Sequence, residues 1–415
     1  MKHNPFTSRI YQETWLRHFA KQSEGKQFQF IENLSFIKHK FLPYYINAGR
    51  NMTNGVTYEI DASQLDYKNK TCVIYDVPDY CDTSKISENS TLRIKKVPQY
   101  KGFLANLSQF TSFEDYLQNT LHAKSRNKFR STLKKFESCF NVSYNYYYGD
   151  IEKDIYKTVM TNFRNLVESR YGDLKIETNL ISEWPFYEEI VYKMFHEKKA
   201  LIISIEVDGE PISMSLAFLS ENTLIGAVKA FNTNYYKFNV GHIEISKLIT
   251  WCIENNKHIM DFSKGEYEYK TKWTNTNYLY NCHVVYDKSS LTSNITGRLL
   301  VKYFELKQYL RDKNFNLFVA KTRYAIKNIG SSNEQKLPFK IHPITSDLDV
   351  TDYKLISLKD EVENYPFLKR IVLDSLFQSP ESFSEIKIYK SHEKAGSKPL
   401  FGIIGAKRKY IIEIL

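Results

Sequence analysis

Asp261, Glu266, Tyr267, Glu268, Tyr269 and Lys270 fall within one short run, Asp261-Phe262-Ser263-Lys264-Gly265-Glu266-Tyr267-Glu268-Tyr269-Lys270-Thr271-Lys272-Trp273. Carboxylates can remove a proton, phenols can return one, and an ammonium can steady a developing negative charge. The run follows a short strand-like segment, residues 258–262, and so sits at the C-terminal edge of an α/β sheet, where ligands bind. A second feature lies just upstream. The polar loop 231–240 leads to Gly241 and a helix of about four turns, with Ile243, Ile245, Leu248, Ile249, Trp251 and Cys252 as its apolar set. The backbone N–H groups of Asn239, Val240, Gly241 and His242 would face a pyrophosphate there, aided by the helix dipole. Gly241 would allow close approach. Taken alone, such a glycine is more often an ordinary turn.

The elements that must position these residues can be read from pattern. Asp208-Gly209 between two apolar runs is a hairpin signal, and residues 220–222 turn the chain into a third strand, giving a meander over residues 201–230. Amphipathic helices are expected over residues 11–20, 150–170 (stopped by Gly172) and 184–198. Thr111 and Glu114 suggest a capping box that opens one helix to about residue 140. The polar side of that helix carries Lys124, Arg126, Lys128, Arg130, Lys134 and Lys135. Such a face is commonly just solvated. If it binds, Arg126 and Arg130 are the candidates for holding an anionic acceptor, because guanidinium grips oxyanions with two parallel bonds. Long helical material is expected over residues 293–329, with a break near 312–314. Residues 330–336 read as a linker.

The run 261–273 resembles the conserved stretch of the CelD-like acetyltransferases, a GNAT group associated with cellulose biosynthesis. Its pattern there is D-F-x-x-G-x-E-x-Y-K-x-x-W. This chain keeps Asp261, Phe262, Gly265, Tyr269, Lys270 and Trp273, and departs at Tyr267, where an acid is usual. Other stretches are similar too: residues 6–19 to the opening helix, 124–130 to the basic central helix, 163–171 to the helix before the second sheet, and 235–241 to the cofactor loop. The resemblance spans about residues 5–290. It implies an α/β (α+β) fold of two GNAT-like lobes, residues 1–145 and 146–330. Residues 335–415 would form a small α/β appendage of strand, helix, strand, strand.

The resemblance also implies an enzyme: an acyl-CoA-dependent N-acyltransferase. Acetyl-CoA is the expected donor, and an amino group on a sugar, polysaccharide precursor or similar small molecule the expected acceptor. Transfer needs a neutral amine, a donor for the tetrahedral oxyanion, and a proton for the leaving thiolate. Glu266 or Glu268 would serve as base, Tyr269 or Tyr267 as acid, and Lys270 would contact substrate phosphate or the oxyanion, with Asp261 in the same set. The related Fem-type transferases leave an aminoacyl-tRNA-dependent reaction as an alternative. A non-catalytic GNAT-like module and a general polyanion binder are two more.

Bulk properties bound these readings. The chain has 415 residues, more than one ordinary core. A net charge of +11 suits anionic ligands such as CoA phosphates. No nucleic-acid signature accompanies it, so no DNA partner is expected. The five scattered cysteines suggest neither a disulfide framework nor a zinc site, and point to a cytoplasmic location. His122, His242 and His258 lie too far apart for a metal claim. No apolar run is long enough to span a membrane, and the polar start lacks a signal segment.

Overall fold

A computed structural model describes residues 4–20, 25–50, 52–82, 90–174, 178–313, 338–345, 348–361, 364–392 and 398–415. The linker at 330–336 and the helical material after residue 313 lie outside the described residues. Helix α1 (Arg9–Phe19), capped by Ser8, precedes strands β1 (Lys26–Phe28), β2 (Ile31–Lys38), β3 (Tyr45–Asn47), β4 (Glu59–Ile60), β5 (Thr71–Pro78) and β6 (Leu92–Asn106). Then come α2 (Phe113–Thr120), α3 (Ala123–Cys139), β7 (Val142–Tyr148), α4 (Lys153–Leu174) and α5 (Trp184–His196). The meander is β8 (Ala200–Val207), β9 (Glu210–Leu219) and β10 (Thr223–Phe231). A 3-10 turn, Thr233–Phe238, leads to α6 (Val240–Glu254), β11 (Ile259–Lys264), α7 (Glu268–Trp273), β12 (Thr276–Asp287) and α8 (Leu291–Asp312).

The fold is α/β, with one large mixed sheet of order β1-β2-β3-β5-β12-β6-β11-β10-β9-β8-β7 and β4 against β2. Its only parallel ladders among the described residues are β3–β5 and β10–β11. The Asp208-Gly209 turn has φ of +51° and +80°, as a two-residue hairpin requires. Strand β8 is almost wholly apolar because both of its faces are covered. Ala200 and Ile202 pack with α4 and α5, while Leu201 and Ile203 pack with α2 and α6. Strand β12 inserts between β5 and β6, and β6 carries the sheet on to β11.

A second sheet holds β13 (Phe339–Pro343), β14 (Tyr353–Ile356), β15 (Lys387–Ser391), β16 (Leu400–Ile404) and β17 (Lys409–Ile414), with helix α9 (Pro366–Gln378) on it. This sheet shares a core with the rest. Leu368, Val372, Phe401 and Ile412 pack in one cluster with Phe136 of α3 and Tyr235 and Phe238 of the 3-10 turn. Lys237 pairs with Asp374 at 2.8 Å. The C-terminal sheet thus buttresses the turn that feeds α6.

Three local expectations are corrected. The 111–140 segment is two helices, because Leu121 and His122 are extended and Arg126 donates to the carbonyls of Gln118 and Leu121. The cap of α2 is Ser112, which accepts from Asp115 N–H, rather than Thr111. Helix α4 continues through Gly172 to Leu174. No helix among the described residues is long and apolar enough to cross a membrane.

Candidate functional site

Strands β10 and β11 pair in parallel only over Thr223–Ile259, Leu224–Met260 and Ile225–Asp261. Beyond Ile225, β10 runs on to Phe231 without β11. Its ladder with β9 also slips between Gly226 and Val228, which leaves Ala227 as a bulge. The C-terminal ends of β10 and β11 and the N-terminus of α6 fall at the same end of the unit, because a crossover helix returns the chain between parallel strands. The result is a wedge with an unpaired strand edge on one side and a helix entrance nearby.

Asn239 makes the helix entrance. It sits at φ 51°, ψ 42°, a left-handed conformation that Asn tolerates. Its N–H donates to Tyr236 O at 3.1 Å, and its carbonyl accepts from His242 N–H at 2.8 Å and Ile243 N–H at 3.2 Å. Of the four amides expected to meet a pyrophosphate, Asn239 and His242 are therefore committed within the chain. Val240 and Gly241 make no such bond among the described residues. The Gly241 carbonyl accepts from Lys229 Nζ at 2.8 Å.

Beneath this entrance lies a polar cluster that sequence reasoning missed. Glu244 of α6 is fully buried and accepts hydrogen bonds from the hydroxyls of Ser213 and Ser215. Lys229 Nζ lies 3.1 Å from its carboxylate. The register of the meander explains the meeting: Ser213 and Ser215 share one face of β9, and Ser215 stands opposite Lys229 on β10. The signal available in the sequence was a lone acid between Ile243 and Ile245.

His242, Tyr269 and Trp273 gather above. Trp273 is buried, stacked on Phe113 and edge-on to Phe129. Its indole N–H donates to His242 Nδ1 at 2.6 Å, which puts the imidazole proton on Nε2. Burial, then the charges of Lys229 and Lys272, push His242 down to about 4. It is neutral at pH 7, and its lone pair is already used, so it is a donor and not a base. Because the folded value lies below the ordinary 6.5, the stability contributed by neutral His242 is present above pH 6.5 and lost as pH falls through 4. Between pH 7 and pH 5 the wild-type chain is expected to lose about 2 kcal/mol that His242→Gln retains, as read from urea midpoints. Equal losses would refute the assignment. Tyr269 is half-buried, its ring 5.9 Å from Lys229 Nζ and stacked on the exposed Tyr267. Burial pushes its phenol up to about 12, so it stays protonated.

Asp261 and Lys270 take a different place from the one expected. Asp261 is fully buried and accepts from Tyr278 OH at 2.7 Å, Tyr80 OH at 2.8 Å and Ser263 N–H at 2.7 Å. Gly102 of β6 makes the Tyr278 contact possible. A Cβ there would lie 2.2 Å from the Tyr278 ring. Burial raises the Asp261 carboxyl to about 6 despite these donors. Lys270 is 3% exposed, and its Nζ donates to Lys264 O at 2.7 Å and Ser263 O at 3.2 Å. Burial lowers it to about 8, against the pull of Asp261. Both groups are thus buried and hydrogen-bonded within the protein. They pin the end of β11 and the residue after it, where Ser263 (φ +64°) and Gly265 (φ +101°) hold left-handed conformations.

The remaining candidates are at the surface. Glu266 lies 3.5 Å from Lys101, and Glu268 pairs with Lys272 at 2.7 Å. Arg130 pairs with Glu114, and Arg126 is used on the α2 carbonyls. Both arginines thus have intramolecular partners, and the Arg130–Glu114 pair is exposed. No group of three or more His, Cys, Asp or Glu among the described residues could hold a metal.

Residues 123–271 match the family model described as an acetyltransferase (GNAT) domain. The matched stretch runs from α3 into α7 and includes the wedge and the α6 entrance, so over these residues the chain is similar to GNAT-type acyltransferase domains. No curated protein matches its sequence. Among solved structures it is similar to FemX, at 11% identity, covering 71% of this chain and 94% of that one, with a TM-score of 0.48. It is also similar to L-PGS from Bacillus licheniformis, at 12% identity, covering 72% and 98%, with a TM-score of 0.41.

Proposed function

We propose that the chain transfers an acyl group, acetyl in the first instance, from an acyl-CoA to the amino group of a sugar, polysaccharide precursor or similar small acceptor. The observation that carries this reading is the divergence of β10 from β11 beside the N-terminus of α6. An amide-bearing chain such as pantetheine can lie along the free edge of β10 as an added strand. Its pyrophosphate would meet the Val240 and Gly241 amides and the positive end of α6. The amine nitrogen attacks the thioester carbonyl carbon, the C–N bond forms, and the C–S bond breaks. Tyr269, whose phenol stays protonated, gives its proton to the departing thiolate. The proton released by the amine passes to solvent, through water held by Glu266 or Glu268. Lys270 and Asp261 act as positioning residues for the end of β11. The reading takes residues 1–145 and 146–330 as two lobes and residues 335–415 as a support for the α6 entrance. The five buried, unpaired cysteines suit a cytoplasmic setting.

The test is mass-spectrometric detection of acyl transfer from acetyl-CoA to a panel of amino sugars. Tyr269→Phe should lower kcat by about a hundredfold with little change in KM for acetyl-CoA. An unchanged kcat would remove Tyr269 from the mechanism. Absence of transfer to any member of the panel, with no thiol released, would count against the donor as well as the acceptor.

A further inference from the structure

Beside the Ser263–Gly265 turn lies a cleft of about 340 Å³ lined by Tyr75, Asp76, Gln99, Tyr100, Lys264, Gly265 and Lys307. Its one lining acid, Asp76, is already matched. Lys264 Nζ lies 2.6 Å from one oxygen of it, and the Thr53 hydroxyl donates to the other at 3.1 Å. Two further cations stand at the same place. Lys307 of α8 makes no ion pair among the described residues. Arg311, one turn on, packs its guanidinium 4.0 Å from the centre of the Tyr100 ring. It donates to the Gln99 carbonyl and to Tyr100 OH, neither of which carries charge. Two lysines therefore line the cleft against one acid, and Arg311 adds a third cation behind its Tyr100 wall. Burial, then the charges of Arg311 and Arg50, lower the pKa of Lys307 against the pull of Asp76.

The position matters as much as the charge. Gly265 and Lys264 belong to the turn that Lys270 and Asp261 pin, and this turn leaves β11 just past the point where its pairing with β10 ends. We propose that this cleft is the acceptor's anion subsite, in which Lys307 grips a carboxylate or phosphate carried by the amine-bearing molecule, with Tyr100, held by Arg311, as its aromatic wall. The proposal rests on the acyl-transfer reading for the word acceptor, but anion binding stands on the cleft alone.

Calorimetric titration of the full chain without CoA separates the two. The probes are glucosamine 6-phosphate, glucosaminic acid and uncharged glucosamine, each against the wild type, Lys307→Ala and Lys307→Gln. At least one anionic probe should bind about tenfold more tightly than glucosamine, and both variants should lose that margin. Preference for the phosphate or for the carboxylate identifies which oxyanion the site takes. Acetyl-CoA binding, measured in parallel, should be the same in all three proteins. Anionic probes that bind no better than glucosamine, or equally well to the variants, would overturn the proposal. A failure of acetyl-CoA alone would overturn the donor reading and leave the anion result standing.

Discussion

Replacing Asp261 by alanine is expected to destabilise the chain by about 3–5 kcal/mol. Three donors converge on this fully buried carboxylate, the hydroxyls of Tyr80 and Tyr278 and the Ser263 amide. The change also removes the carboxylate that offsets the buried Lys270 ammonium. A buried charge deprived of its partner costs more than the pair was worth. Asp261→Asn keeps one acceptor oxygen and should cost less, about 1–3 kcal/mol. The pH dependence separates the two effects. With its folded value raised from 3.8 to about 6, Asp261 contributes stability that is present below pH 4 and lost as pH rises through 6. The margin of the wild type over Asp261→Asn should therefore shrink between pH 4 and pH 7. Urea denaturation at the two pH values reads this directly, and a constant margin would show that the carboxyl does not titrate in that window.

The second large effect is expected at Lys229. Its ammonium bridges the buried Glu244 carboxylate and the Gly241 carbonyl, so it joins β10 to the first turn of α6. Lys229→Met leaves Glu244 charged and buried with only two serine hydroxyls, at a cost of about 3–5 kcal/mol. Glu244→Gln in the same chain removes the stranded charge and should recover part of the loss. The double-mutant cycle should then give a coupling of at least about 1 kcal/mol. Donor binding provides a second readout. Lys229→Met frees the α6 entrance from β10, so acetyl-CoA affinity should fall in the single variant even under conditions where it stays folded. Additive stabilities would mean that Lys229 and Glu244 do not act as a pair.

The contrast between what the sequence announces and what it hides follows the range of the interactions. The β8–β9 hairpin is legible because Asp208-Gly209 is a local backbone requirement. The α6 helix is legible because its apolar set repeats at helical spacing. The run 261–273 is legible as a site region because acids, phenols and a lysine cluster there. The directions of those side chains are not legible. Lys270 turns inward because the 263–265 turn presents two carbonyls to it, and that depends on two left-handed residues. Glu244 and Lys229 meet only through the β9–β10 register and the packing of α6. The insertion of β12 between β5 and β6 joins segments about two hundred residues apart, and no local pattern encodes it. The same holds for the core shared by α9 and the turn before α6, since apolar periodicity says that a face is buried but not against what.

The most direct test of the account is calorimetric titration of the full chain with acetyl-CoA, and with free CoA in competition. The wedge between β10 and β11 and the entrance of α6 predict saturable binding with one site per chain, displaced by CoA and weakened in Lys229→Met. Heats indistinguishable from dilution for acetyl-CoA, free CoA and a longer acyl-CoA would contradict the account and move the donor to another class, aminoacyl-tRNA first.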